Sequence, residues 1–169
     1  CWSAAWEMTR DGSLKARDFV QLVARGAQAE TEMAVLERIT GQAVTALTAY
    51  ADQEWADAEG AQLLGEAFQA AAENGSEDRA LIFIKTLSHL PLVDSTRIYL
   101  QGILDNDEDA GLRWKALTAL AADGAIGEEA AVREKIAQQR ELDKTSSGAQ
   151  AALQVEAAIN SDENKKRIW

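Results

Sequence analysis

The chain has 169 residues and a formal net charge of −11, with 47% hydrophobic and 27% charged residues and a single proline. That is enough chain to bury one substantial core, in a composition typical of ordered helical proteins and not of disordered ones. The acidic balance argues against nucleic-acid and anionic-membrane partners, which demand a basic surface to displace counterions.

Cys1 is the one cysteine, so no internal disulfide forms, and the expected compartment is the cytoplasm. No run of about 18 apolar residues suggests a membrane span. The first residues, Cys1-Trp-Ser-Ala-Ala-Trp-Glu-Met8, already read as helix interior, with Trp2, Ala5, Trp6 and Thr9 on one face. This beginning is expected to be a cut end, which makes 1–169 a single helical domain taken from a larger chain.

After an Asp11-Gly12 stop, Ser13 is the expected cap of a helix to about Arg25, with Ala16, Phe19, Val20, Leu22 and Val23 on its apolar arc. Thr31 opens the next expected helix, carrying Leu36, Ile39, Ala43, Leu47 and Tyr50 inward. Asp52 to Trp55 forms a short turn or a first helical turn, and a helix then carries Leu63, Leu64, Ala67, Phe68 and Ala71 to Asn74-Gly75. From Ser76, the run Leu81-Ile-Phe-Ile84 with Leu87 and Leu90 spreads apolar residues around most of a helix, which should be the most buried of the set. Asp94 or Ser95 opens a helix through Ile98, Leu100, Ile103 and Leu104 that ends at the acidic run Asp105-Asn-Asp-Glu-Asp109.

Between Asp109 and Gly124 a start, a two-sided body and a stop are all legible. Asp109 is the expected N-cap and Asp123-Gly124 the stop. At about 100° per residue, Leu112, Trp114, Ala116, Leu117, Leu120 and Ala121 fall on one arc, and Lys115, Thr118 and Ala122 opposite. Arg113 lies near the middle of the apolar arc, where an unpaired guanidinium is costly. Asp109, Asp143 and Asp94 are its candidate carboxylate partners; alternatively it faces a cavity and draws an acidic group of a ligand or peptide. A helix from Glu128 to about Glu141 carries Val132 and Ile136, another from Thr145 or Ser146 reaches Ile159, and Ser161 caps a last turn ending at Trp169.

No alternating strand occurs, so the class is all-α. Helix starts recur so that a pair occupies about 35 residues, the spacing of HEAT, armadillo and tetratricopeptide repeats. The expected architecture is a HEAT/armadillo-like right-handed superhelix of antiparallel helix pairs, with a globular bundle as the alternative.

Chemistry is sparse. His89, the single histidine, ends a helix where it suits the helix dipole, and one histidine with one distant cysteine cannot make a zinc site. The run from Asp105 to Asp109 lacks the glycine and closing glutamate of a calcium loop. There is no phosphate loop, G-x-S-x-G or H-E-x-x-H. Trp2, Trp6 and Trp114 suit packing, while Trp55 and Trp169 suit an interface. No catalytic or metal-binding residue is assigned, and no cofactor is expected in this chain.

The stretches Cys1 to Asp11, Ala29-Glu-Thr-Glu32, Tyr50-Ala-Asp52 with Trp55, Leu112-Arg-Trp114, Glu141-Leu-Asp-Lys-Thr145 with Gly148, and Trp169 follow one order over the whole chain. In them the chain resembles the C-terminal helical domain of the aminopeptidase N family of zinc metallopeptidases, especially the actinobacterial type. The resemblance implies a HEAT-like domain that covers the active site of an upstream thermolysin-like domain and shapes peptide access. It also implies zinc held by H-E-x-x-H plus a glutamate in that missing domain, and peptide substrates of the parent. None of that catalytic apparatus is present here, so Arg113 is the one substrate-chamber candidate. A free-standing helical-repeat scaffold that binds another protein is the alternative reading.

Overall fold

The computed structural model describes residues 2–159, and every regular element among them is helical. The chain divides into two compact units, one ending at Val93 and the other beginning at Asp94.

In the first unit, α1 (Trp2–Arg10) and α2 (Ala16–Gly26) are followed by a 3-10 turn at Ala27–Ala29, then α3 (Met33–Thr45), whose last turn widens to a π-helical one at Ala46–Tyr50. The short α4 (Gln53–Trp55) passes through a second π turn, Ala56–Gly60, into α5 (Ala61–Glu73), and α6 (Glu77–Leu87) completes the unit. Packing joins α2 to α5, α3 to α6, and each helix to its sequence neighbour in the pairs α2–α3 and α5–α6. Phe19, Val20, Leu36, Ile39, Leu64, Phe68, Phe83, Ile84 and Leu87 are fully buried between them. The rings of Phe68 and Phe83 lie 5.4 Å apart at 46°.

The second unit comprises α7 (Asp94–Asn106), α8 (Ala110–Asp123), α9 (Glu129–Leu142) and α10 (Ser146–Ala158). α8 packs extensively on both α7 and α10. Its ends form as the sequence suggests. Asp109 Oδ1 accepts from Leu112 N at 2.6 Å, and Gly124 takes φ 80°. The Ala125 amide donates to Leu120 O at 3.0 Å and that of Gly124 to Ala121 O at 3.3 Å, a Schellman closure available to glycine at little steric cost.

Several expectations are corrected. Ser13 does not cap α2; its amide donates to Asp11 Oδ1 at 2.9 Å in a side-chain turn, and Lys15 occupies the cap position. Thr31 does not open α3, because Glu32 is the cap residue and Met33 the first helical one. Leu22, Ile98, Leu63 and Tyr50 are exposed, since each lies at the margin of an arc whose centre is taken by neighbours such as Phe19 and Val23, or Leu100 and Ile103. Ile98 is 74% exposed. Nor is α6 the most buried helix. It buries five of 11 residues whereas α8 buries seven of 14, because Leu81 and Ile82 sit half-exposed on a flank while α8 is covered on two sides. Cys1, the turn expected from Ser161, and Trp169 lie outside the described residues.

Two glycines give opposite expectations. Gly41 sits inside α3 with nothing within 4 Å of the place a Cβ would take, so Gly41→Ala should stabilise the chain by about 0.5–1 kcal/mol through helix propensity. Gly124→Ala, which puts a Cβ on a left-handed residue, should destabilise it by about 1–2 kcal/mol. Urea denaturation of both variants checks the signs.

Candidate functional site

The cap that starts α8 also aims its first turn. With Asp109 fixed on the Leu112 amide, Arg113 and Trp114 leave the helix toward the ends of α7 and α9. Half-exposed Arg113 donates from Nε to Gln139 Oε1 at 2.9 Å, and from Nη1 to the main-chain carbonyls of Asp107 and Glu108, both at 2.9 Å. The carboxylate partner expected for it is therefore replaced by a carboxamide and two carbonyls. Each candidate carboxylate is engaged elsewhere: Asp109 caps α8, Asp94 receives Arg97 Nη1 at 2.8 Å, and Asp143 belongs to Trp114 and Thr145. The carbonyls just beyond α7 are left without helical donors, and a planar guanidinium satisfies two of them from one nitrogen.

Trp114 is 3% exposed, and its indole Nε1 donates to Asp143 Oδ2 at 2.8 Å. The other oxygen, Asp143 Oδ1, accepts from the Thr145 hydroxyl at 2.6 Å and the Thr145 amide at 3.1 Å. Thr145 Oγ1 in turn accepts from Gly148 N at 3.0 Å, capping α10. Arg140 Nη1 grips the carbonyls of Asp143, at 2.5 Å, and Thr145, at 3.1 Å. The Thr145 hydroxyl, then the Trp114 indole and the Thr145 amide, hold the Asp143 carboxyl below its ordinary value; burial opposes them and Arg140 adds a smaller attraction. A side chain at Gly148 would place its Cβ 2.5 Å from Asp143 Cγ, so the carboxylate occupies space that only glycine leaves.

The first unit contains a comparable arrangement that no local sequence pattern announces. Trp2 Nε1 donates to Glu30 Oε2 at 2.8 Å, and the Glu32 amide to Glu30 Oε1 at 3.0 Å. Arg79 binds the carbonyls of Ala27 at 3.2 Å, Gln28 at 3.0 Å, and Glu30. Its local sequence, an arginine in the first turn of a helix, is indistinguishable from a solvent-facing one. The Glu30 carboxyl is lowered first by the Glu32 amide and next by the Trp2 indole.

Clefts open on this unit. One of about 500 Å³ is lined by Lys15, Arg17, Tyr50, Asp52 and Trp55 among others. Another, of about 360 Å³, is lined by Glu37, Gly41, Ile82, Lys85, Thr86 and His89, and Lys85 Nζ spans to Glu37 Oε1 at 2.8 Å. His89 is exposed beyond α6, as its position in the sequence suggests. Among the described residues no three His, Cys, Asp or Glu side chains are grouped to hold a metal ion. No helix among them is long and apolar enough to cross a membrane.

The geometry ties helices to the connections between them, and comparison with known proteins gives it a context. The model of the ERAP1-like C-terminal domain matches residues 1–169. The chain belongs to this family. It is also similar to an aminopeptidase N of Streptomyces lividans, with 32% identity over 183 residues that take in 100% of this chain and 20% of the relative. The chain thus spans about one fifth of the curated relative it matches. Several residues that carry the family resemblance are those joined above: Trp2 with Glu30 and Glu32, and Trp114 with Asp143, Thr145 and Gly148.

The folded carboxyl of Asp143 has the lower pKa, so its contribution to stability is fully present above the unfolded value of about 3.9 and is lost as pH falls through the folded value. Asp143→Asn should lower the melting temperature at neutral pH and flatten the acid limb of a stability–pH curve measured by thermal unfolding. Arg113→Met should cost about 1–2 kcal/mol in urea denaturation, through carbonyl and carboxamide acceptors left without their donor.

Proposed function

We propose that the chain is the non-catalytic C-terminal domain of a cytoplasmic zinc aminopeptidase, and that it covers the active site of an upstream catalytic domain and shapes the access of peptides to it. The observation that carries this reading is the identity with one fifth of an aminopeptidase N along the whole of this chain. The chemistry of the present side chains agrees with it. His89 stands beside Lys85 and Thr86, and with one histidine and one cysteine far apart in sequence the donors do not fit zinc. Zinc and peptide hydrolysis therefore belong to the parent's other domain, and no step of the reaction is assigned to this chain.

A HEAT-like superhelix of antiparallel helix pairs, forming a single repeat domain, is the architecture we assign to it. Two features support this. In the first unit the pairs α2–α3 and α5–α6 pack first helix on first helix and second on second; in the second unit α8 and α10, the later members of two successive pairs, pack on each other. Such a stack supplies an extended concave wall without chemistry of its own, and a wall over an active site excludes water and limits which substrates enter. We place Arg113 on that wall, where the exposed part of its guanidinium would attract acidic peptides.

Removing the stretch corresponding to 1–169 from the parent should change the ratio of kcat/KM between short and long peptides; an unchanged ratio across a length series overturns the gating role. In the intact parent, Arg113→Met should raise KM for acidic peptides relative to neutral ones, and equal effects on both would remove Arg113 from the wall.

A further inference from the structure

Two situations occur among glycines inside the helices. At Gly26, Gly60 and Gly148 the missing side chain is used, because an added Cβ would lie 2.6 Å from the Trp2 ring, 2.5 Å from Leu47 Cδ1 and 2.5 Å from Asp143 Cγ respectively. Each lets another group approach closely. Gly102 lies well inside α7, where glycine weakens a helix, yet nothing comes within 4 Å of its Cβ position. Its surroundings are equally unusual. Ile98, one turn earlier, is the most exposed of the large apolar side chains among the described residues at 74%, and Ile98, Tyr99, Gly102, Ile103, Asn106 and Asp107 line a shallow trough of about 340 Å³ along this helix. Residues 98, 102 and 106 are spaced by four, so an apolar side chain, a gap and a carboxamide follow one another along one face. That is the relief into which the ridge of a second element packs. Gly41 also borders a cleft, but there the Lys85–Glu37 ion pair lies in the lining.

We infer that the Ile98–Gly102–Asn106 face of α7 is a docking surface for the upstream part of the parent polypeptide, whose segment packs an apolar side chain against Ile98 and brings its backbone close to Gly102. This rests on the reading of the chain as one domain of a larger aminopeptidase. The occupant follows from length: the curated relative carries about four fifths of its residues outside the region matched here, so an intramolecular neighbour is present at high effective concentration wherever this domain is. A helix position that gains nothing from glycine within its own unit is then accounted for by close approach from another.

The test compares this chain alone with the full-length parent, using hydroxyl-radical footprinting of Ile98 and Tyr99 and the variant Gly102→Leu. Ile98 should be labelled strongly in the chain alone and several-fold less in the parent. Gly102→Leu should raise or preserve the melting temperature of the chain alone, where the added side chain meets open space and improves helix propensity, and lower that of the parent. Equal labelling in both proteins, or a Gly102→Leu effect of the same sign in both, overturns the proposal. Protection that appears in the chain alone with rising concentration, together with a doubled mass by light scattering, overturns it in favour of a second copy. These outcomes do not depend on peptide kinetics, so the gating role can fail while the docking surface stands, and the reverse.

Discussion

Asp143 carries its carboxylate into the start of α10, where the Trp114 indole and the hydroxyl and amide of Thr145 all donate to it. A buried charge is tolerated only when donors replace the water it gives up, and here the donors come from two different helix starts and leave no oxygen unsupplied. The arrangement fixes three things at once. It sets the lateral position of α8 through Trp114, the direction of the α9–α10 turn through Thr145, and the start of α10 through the amide of Gly148. Remove the glycine and the carboxylate loses its space; remove the carboxylate and the indole and the cap lose their common partner.

The two units reach similar solutions from different residues. In each, a tryptophan donates to a carboxylate in an interhelical connection, and a neighbouring amide donates to the other oxygen of that carboxylate. In each, a guanidinium gathers the carbonyls that a connection leaves exposed: Arg79 in the first, Arg113 and Arg140 in the second. Helix bundles rich in alanine have small contact surfaces per residue, so directional bonds at the connections add orientation that apolar packing alone specifies weakly. These polar fastenings explain why a chain with so little recognisable catalytic chemistry still has a recognisable family signature. Trp2, Glu30, Glu32, Leu112, Trp114, Asp143, Thr145 and Gly148 belong to the construction of the domain.

For function the consequence is a division of labour. The guanidiniums of Arg79, Arg113 and Arg140 and the carboxylates of Glu30 and Asp143, the side chains that look most chemical, join helices to connections. What the domain offers outward is shape: clefts bordered by Tyr50 and Trp55 or by Ile82 and His89, and the open face of α7.

The sequence by itself determined the all-helical class, the start and stop of α8, the inward face of α1 and the place of His89 at the end of a helix, and narrowed the cap of α10 to Thr145 or Ser146, because all of these depend on interactions within a few residues and on helical periodicity. The same local logic located Arg113 as a charge needing partners. Only the tertiary structure decided which partners. Asp143 lay among the carboxylates available to Arg113 and went instead to Trp114, and Gln139 with two carbonyls took the guanidinium. Ile98 and Leu22 likewise share the periodicity of buried neighbours but face solvent, since an apolar arc is wider than the surface another helix covers. Arg79 shows the limit most clearly: its partners lie about fifty residues earlier, at a separation where local pattern carries no information and only the packing of α6 brings donor and carbonyls together.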